Sequence, residues 1–79
     1  KVAPNPLREM LNVYWGVPEK VYLKSIEVFS IGGNKVFSAK YNADSRQTQI
    51  SFQHLPPGTY VLIGRYSDAK TETVKLIKI

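Results

Sequence analysis

Few side chains in this 79-residue chain could do chemistry: one histidine, His54, six carboxylates that include Asp44 and Asp68, and no cysteine. Without a thiolate or a second imidazole, His54 has no companions from which to build a transition-metal centre, so a capping or surface role is expected of it. Asp44 lies in Asn42-Ala43-Asp44-Ser45-Arg46 and Asp68 in Ser67-Asp68-Ala69-Lys70. Both stretches have turn composition, where an aspartate bonds nearby backbone instead of standing as half of an acid-base pair. No Gly-rich phosphate loop, nucleophile elbow or metal-ligand spacing is present, and Gly32-Gly33-Asn34 is accounted for by a hairpin. The expectation is a non-enzyme with no catalytic residue, no metal and no cofactor.

The elements that would carry such residues point the same way. A chain of 79 residues makes one domain that buries roughly 60–65% of the surface exposed when unfolded. Its core must be thin, and with no disulfide to staple it, stability has to come from packing. The net charge of +5 is dispersed: Arg8, Lys20 and Lys24 in the first third, Lys70, Lys75 and Lys78 near the end, acids between. Nucleic-acid binding calls for a concentrated basic stripe, so none is expected. The apolar runs are a few residues long, too short to span a bilayer as a helix, and no insertion into a membrane is expected. The chain opens at Lys1 directly into a strand-and-turn pattern with no visible targeting peptide, and reads as a domain taken from a longer protein.

Runs rich in Val, Ile, Tyr, Phe and Thr alternate with Pro, Gly and Asn clusters along the whole chain, the pattern of a sandwich. Lys1 to Ala3 reads as a first strand, stopped by a corner at Pro4-Asn5-Pro6, where two prolines remove amide donors. From Glu9 to Trp15, Leu11, Val13 and Trp15 form the inward set, with Tyr14 outward. Gly16 to Lys20 reads as a turn. In the next strand Val21 and Leu23 share one phase while Ile26 and Val28 share the other, which predicts a bulge near Lys24-Ser25. Ile31 to Asn34 is a hairpin with Gly33 supplying the positive φ, and Lys35 to Tyr41 returns antiparallel. Thr48 to Phe52 puts Ile50 and Phe52 inward. Tyr60 to Tyr66 is the most apolar and so the central strand, and Thr71 to Ile79 is the last, with Val74 and Leu76 opposed to Ile77 and Ile79.

Leu55-Pro56-Pro57-Gly58-Thr59-Tyr60 is similar to the tyrosine corner of Greek-key sandwiches, in which a strand-initial tyrosine packs in the core and bonds backbone a few residues upstream. Tyr60 is its candidate. The chain is thus expected to be all-β, a small antiparallel Ig-like β-sandwich of about seven strands filling residues 1–79.

The order of these motifs resembles the type A C-terminal sorting domains of the type IX secretion system in Bacteroidetes. The first motif falls on Pro4, Asn5 and Pro6 and leads to Leu11 and Val13; the hairpin motif falls on Val28, Phe29, Ile31, Gly33, Lys35 and Val36. The corner motif falls on Leu55, Pro56, Gly58 and Tyr60, and the terminal motif on Lys75, Leu76, Ile77, Lys78 and Ile79. Ser30 stands where family members commonly carry Asp or Asn, and Gly32 where they carry Ser or Thr, which weakens the bonding of that turn. The resemblance implies a signal that takes its parent protein from the periplasm through an outer-membrane translocon to the cell surface or the medium. Translocon components, an outer-membrane shuttle and a sortase would be its protein partners.

Beside the resemblance stands a physical expectation. A terminal edge strand alternating Lys with aliphatic residues can add to a partner's sheet, with Lys75 to Ile79 as the recognition segment and Ile77, Lys78 and Ile79 as the handle. The same edge allows a homodimer, which Lys75 and Lys78 would discourage by charge. Two other readings are carried. Tyr14, Tyr22, Phe29, Phe37, Tyr41 and Tyr66 include outward rings that suit a carbohydrate-binding module of a surface enzyme. Alternatively, the domain is retained as an adaptor or signalling domain of the cell envelope.

Overall fold

The computed structural model describes residues 1–17 and 19–79. Among these residues the chain forms seven strands and no helix: β1 (Val2–Ala3), β2 (Met10–Tyr14), β3 (Leu23–Ser30), β4 (Lys35–Lys40), β5 (Gln47–Ser51), β6 (Gly58–Tyr66) and β7 (Thr71–Lys78). They pair in two antiparallel sheets, one in the order β1-β2-β5 and the other β4-β3-β6-β7, packed as a sandwich. Of the turn expected at Gly16 to Lys20, Pro18 lies outside the described residues, and Lys20 takes a φ of 72°.

Period-two alternation decides which side chains meet between the sheets. On β2, Leu11 and Val13 face inward, Trp15 follows them, and Met10 and Tyr14 face out. On β3 the register shifts between Leu23 and Ser25, so Leu23, Ile26 and Val28 all reach the core although their spacing changes phase. That shift is the bulge expected at Lys24-Ser25. A second shift, between Val28 and Phe29 where β3 meets β4, adjoins the hairpin in which Gly33 has φ 90°. β6 is central, paired with β3 on one side and β7 on the other.

The corner segment closes as its sequence suggests. Gly58 has φ 153°, a conformation that side chains oppose, and this lets the chain enter β6 with Tyr60 turned inward. The Tyr60 hydroxyl donates to the Pro56 carbonyl at 2.5 Å, while its ring meets Phe52 edge-on at 5.4 Å between centroids. On the β4-β5 side of the sandwich, Trp15 donates from its indole nitrogen to the Ser45 carbonyl at 2.9 Å and lies 5.3 Å from the Tyr41 ring. The Tyr41 hydroxyl donates to Thr48 Oγ1 at 3.4 Å, so that side is closed by aromatic packing and a hydrogen bond.

One core residue carries no strand signal. Leu7, beyond the proline corner, is wholly buried with Leu11, Phe52 and Leu76. It sits outside every named strand and touches β7 through a single parallel bridge, Leu7 to Lys78.

Tyr60→Phe keeps the ring and removes only the bond to Pro56. Urea unfolding should show a loss of about 0.5–1.5 kcal/mol with an unchanged denaturant slope.

Candidate partner-recognition surface

Two of the motifs singled out in the sequence, Pro4-Asn5-Pro6 and Lys75 to Ile79, meet at one end of β7. Two prolines, Pro4 and Pro6, have no N–H to offer a neighbouring strand, and the side chain of the residue between them does the pairing. Asn5 Nδ2 donates to the Lys75 carbonyl at 3.0 Å, and Asn5 Oδ1 accepts from the Ile77 amide at 3.1 Å. An asparagine amide carries one donor group and one acceptor group, as a peptide unit does, so Asn5 bonds β7 as one strand residue would. Two residues on, the Leu7 amide donates to the Ile77 carbonyl at 2.8 Å and the Ile79 amide donates to the Leu7 carbonyl at 2.9 Å. Residues 5–7 therefore strap the outward edge of the last strand from Lys75 to Ile79.

This geometry changes what the terminal residues can offer. The edge-pairing handle expected at Ile77 to Ile79, and a homodimer through it, need outward amides and carbonyls that Asn5 and Leu7 already use. Leu76 is wholly buried and serves the core, and Lys78 is half-buried. What the segment does expose is side chain: Lys75, Ile77 at 42% and Ile79 at 54%. Asn5 was placed by the sequence in its proline corner, but its bonds to the last strand, and the whole of Leu7, were missed by that reading. The available signal was an amide side chain flanked by two residues without donors, followed by an isolated leucine.

The register of the four-stranded sheet shows what surrounds those side chains. Outward rows run Lys35, Phe29, Val61, Lys75, then Ser38, Glu27, Ile63, Thr73, then Lys40, Ser25, Arg65, Thr71, with Thr59 opposite Ile77 at the end. Half-buried Phe29, Val61 and Ile63 thus make an apolar centre, bordered by Lys35, Lys40, Arg65 and Lys75. Glu27 bonds Lys35 at 3.1 Å and Arg65 at 3.1 Å. Hydrogen bonds from Lys35 and then Arg65 hold its carboxyl below the ordinary glutamate value. At the far end of β6, burial and then the bond to Glu72 raise the Tyr66 hydroxyl above its ordinary value.

The other candidates are scattered. His54 is exposed in the turn after β5, and among the described residues no three His, Asp or Glu side chains gather as for a metal ion. Asp68 accepts from the Lys70 amide at 3.1 Å within its own turn. At Asp44 it is Asn42 that does this, its Oδ1 accepting the Asp44 amide at 2.9 Å. The six aromatics do not share one face: Tyr14 is exposed on the outside of the three-stranded sheet, Phe29 is half-buried on the outside of the other, Phe37, Tyr41 and Tyr66 pack against the core, and half-buried Tyr22 joins only Tyr41 among them, at a shallow surface pocket with Lys24 and Lys40.

With the sandwich, the corner and the strapped terminal strand in place, the comparison with known families is unambiguous. The chain matches the secretion system C-terminal sorting domain over residues 1–79, and it belongs to that family, the type IX secretion C-terminal sorting domains. Neither the curated proteins nor the solved structures include a significant match. Membership makes the chain a sorting signal for type IX secretion, which implies export to the cell surface or secretion and interaction with the secretion machinery.

Two measurements check the strap and the charged face. Leu7→Ala empties a fully buried site and should lower stability by about 2–5 kcal/mol in urea unfolding. For Glu27, a depressed folded-state pKa means that its stabilisation is present above the unfolded-state pKa and lost as pH falls through the folded-state pKa. The stability gap between the native chain and Glu27→Gln should therefore narrow on acidification below the ordinary glutamate range, and shrink with added salt.

Proposed function

We propose that this domain carries its parent protein from the periplasm through the type IX translocon, and that an outer-membrane shuttle and a sortase engage it on the way to the cell surface. The observation that carries this reading is the terminal segment Lys75 to Ile79, which is held rigidly between β6 and the 5–7 strap yet keeps Ile77 and Ile79 exposed. Recognition there runs through side chains. Lys75, Ile77 and Ile79 contact the partner, and Leu76 fixes their height by anchoring the strand in the core. Lys78, half-buried, borders the contact.

The basic border of the same sheet face suits an acidic partner surface, which would speed encounter and set orientation. Rigid presentation also favours affinity, since little ordering remains to be done on binding. The domain itself performs no chemistry in this reading, and Pro4, Asn5, Pro6, Gly33, Leu55, Pro56, Gly58 and Tyr60 serve by holding the fold.

The test is export of a reporter joined to this domain through its native linker. Deleting Lys75 to Ile79 would not separate recognition from folding, because it removes Leu76 and the partners of Asn5 and Leu7. The double substitution Ile77→Ser, Ile79→Ser leaves those contacts in place. Export should fall roughly tenfold or more, as loss of two aliphatic anchors costs at least about 1.4 kcal/mol. Export at the native level, with the substituted domain folded by circular dichroism, would rule out recognition by these side chains.

A further inference from the structure

The strap covers only part of the last strand. Asn5 and Leu7 bond the outward groups of Lys75, Ile77 and Ile79. Outward groups alternate with those bonded to β6 along an antiparallel edge, so the amides and carbonyls of Thr71 and Thr73 and the amide of Lys75 also point away from β6. β7 ends its sheet, and among the described residues no strand or side chain bonds these groups. The chain has crossed to the other sheet at this level, since Val2 and Ala3 pair with Val13 and Asn12.

The departure of the chain leaves the sandwich open along this stretch. A cleft of about 20 Å³, room for little more than one methyl group or water, lies between the sheets here, lined by Val2, Val13, Leu23, Ile26, Leu62 and Val74. Val2 and Val74 are half-buried at its mouth. The opposite flank of the sandwich, by contrast, is sealed by Trp15, Tyr41 and Thr48. An unpaired backbone edge therefore borders an unfilled apolar gap at one place in the fold.

Cations outnumber anions at that place: Lys1 and Glu72 both line the cleft, Glu72 is engaged by the Tyr66 hydroxyl at 3.0 Å, and Asp68 is turned to its own turn amide. Lys70 and Lys75, both exposed, form no ion pair among the described residues.

We propose that Thr71 to Lys75 is a strand-addition site for an extended segment of a partner protein in which acidic residues alternate with small aliphatic ones. Side chains opposite each other on adjacent strands share a face. A residue opposite Val74 therefore points into the cleft, where the methyl of alanine fits, while its neighbours opposite Thr73 and Lys75 lie on the outer face beside the lysines. Backbone bonds to Thr71, Thr73 and Lys75 supply affinity, and the cleft and the lysines supply selectivity. This goes beyond the sorting reading and is independent of it, because binding is measured on the 79-residue chain without any export.

The probe is an acetylated, amidated heptapeptide alternating glutamate and alanine, titrated into the isotope-labelled chain and followed by amide chemical shifts and hydrogen exchange. Saturable shifts and slowed exchange should centre on Thr73 and Lys75 and extend to the residues lining the cleft. Thr73→Pro removes one outward donor and no bond to β6, an edge position where proline is accepted, and should weaken binding at least about tenfold. Lys75→Glu should shift preference to the heptapeptide alternating lysine and alanine, which tests the proposal even if the proline variant does not fold. No saturable shift in the native chain at millimolar peptide, or shifts centred on β4 or β5, would overturn it.

Discussion

Everything at the C-terminal end of this domain depends on the contact between its first seven residues and its last five. Leu76 brings the last strand onto the core from one side, Leu7 fills the core from beneath its free edge, and Asn5 holds the edge between them. None of these could act alone. A terminal strand with one neighbour frays, because half its backbone groups are bonded to water and its side chains bury little surface. The strap turns it into an inner strand over the stretch from Lys75 to Ile79, at the cost of only a few ordered residues. In a domain with no cysteine and a core too small to be generous, tying residues 5–7 to the last strand closes one flank along Lys75 to Ile79, while the Trp15-Tyr41-Thr48 contact closes the other.

The outer face of the four-stranded sheet follows from a second constraint. A domain this small has no third layer to cover a sheet, so whatever lies outward on β3, β6 and β7 meets solvent. Phe29, Val61 and Ile63 would make that face prone to association if it were flat and neutral. Lys35, Arg65 and Lys75 surround them, and the long aliphatic stems of such residues shade neighbouring apolar atoms while their charges stay hydrated. Glu27, bonded to Lys35 and Arg65, relieves repulsion within the basic group.

Much of this was legible in the residues. Period-two runs placed all seven strands, the phase change at Lys24-Ser25 marked a real bulge, and the Leu55 to Tyr60 segment gave away its corner, because a glycine between a proline and a tyrosine serves few other purposes. These signals are local: each is written within the few residues whose conformation it fixes. Asn5 and Leu7 were not legible in the same way. Their partners stand about seventy residues away in sequence, and neither periodicity nor turn composition carries such a pairing. The backbone edge of the terminal segment was only half read for the same reason. Alternating Lys and aliphatic residues describe an edge strand correctly, but only the three-dimensional course of residues 5–7 shows that the edge is occupied where those residues lie.

That occupation also divides the last strand into two stretches that differ in what they leave exposed. Along Lys75 to Ile79 the backbone is consumed on both sides and only side chains are left to be read, a mode that asks for shape and charge on the partner's surface. Along Thr71 to Lys75 the backbone remains open and the side chains are small or polar, a mode that asks only for an extended chain. The two stretches meet at Lys75, whose carbonyl belongs to Asn5 while its amide faces outward unbonded. A partner can meet the exposed isoleucines without touching the strap, and an extended segment can lie along the threonines without displacing it, since both leave the contacts of Asn5 and Leu7 undisturbed. Because the strap fixes where the occupied edge ends and the open edge begins, the Pro4-Asn5-Pro6 corner sets how much of the last strand's backbone is covered as well as supporting the fold.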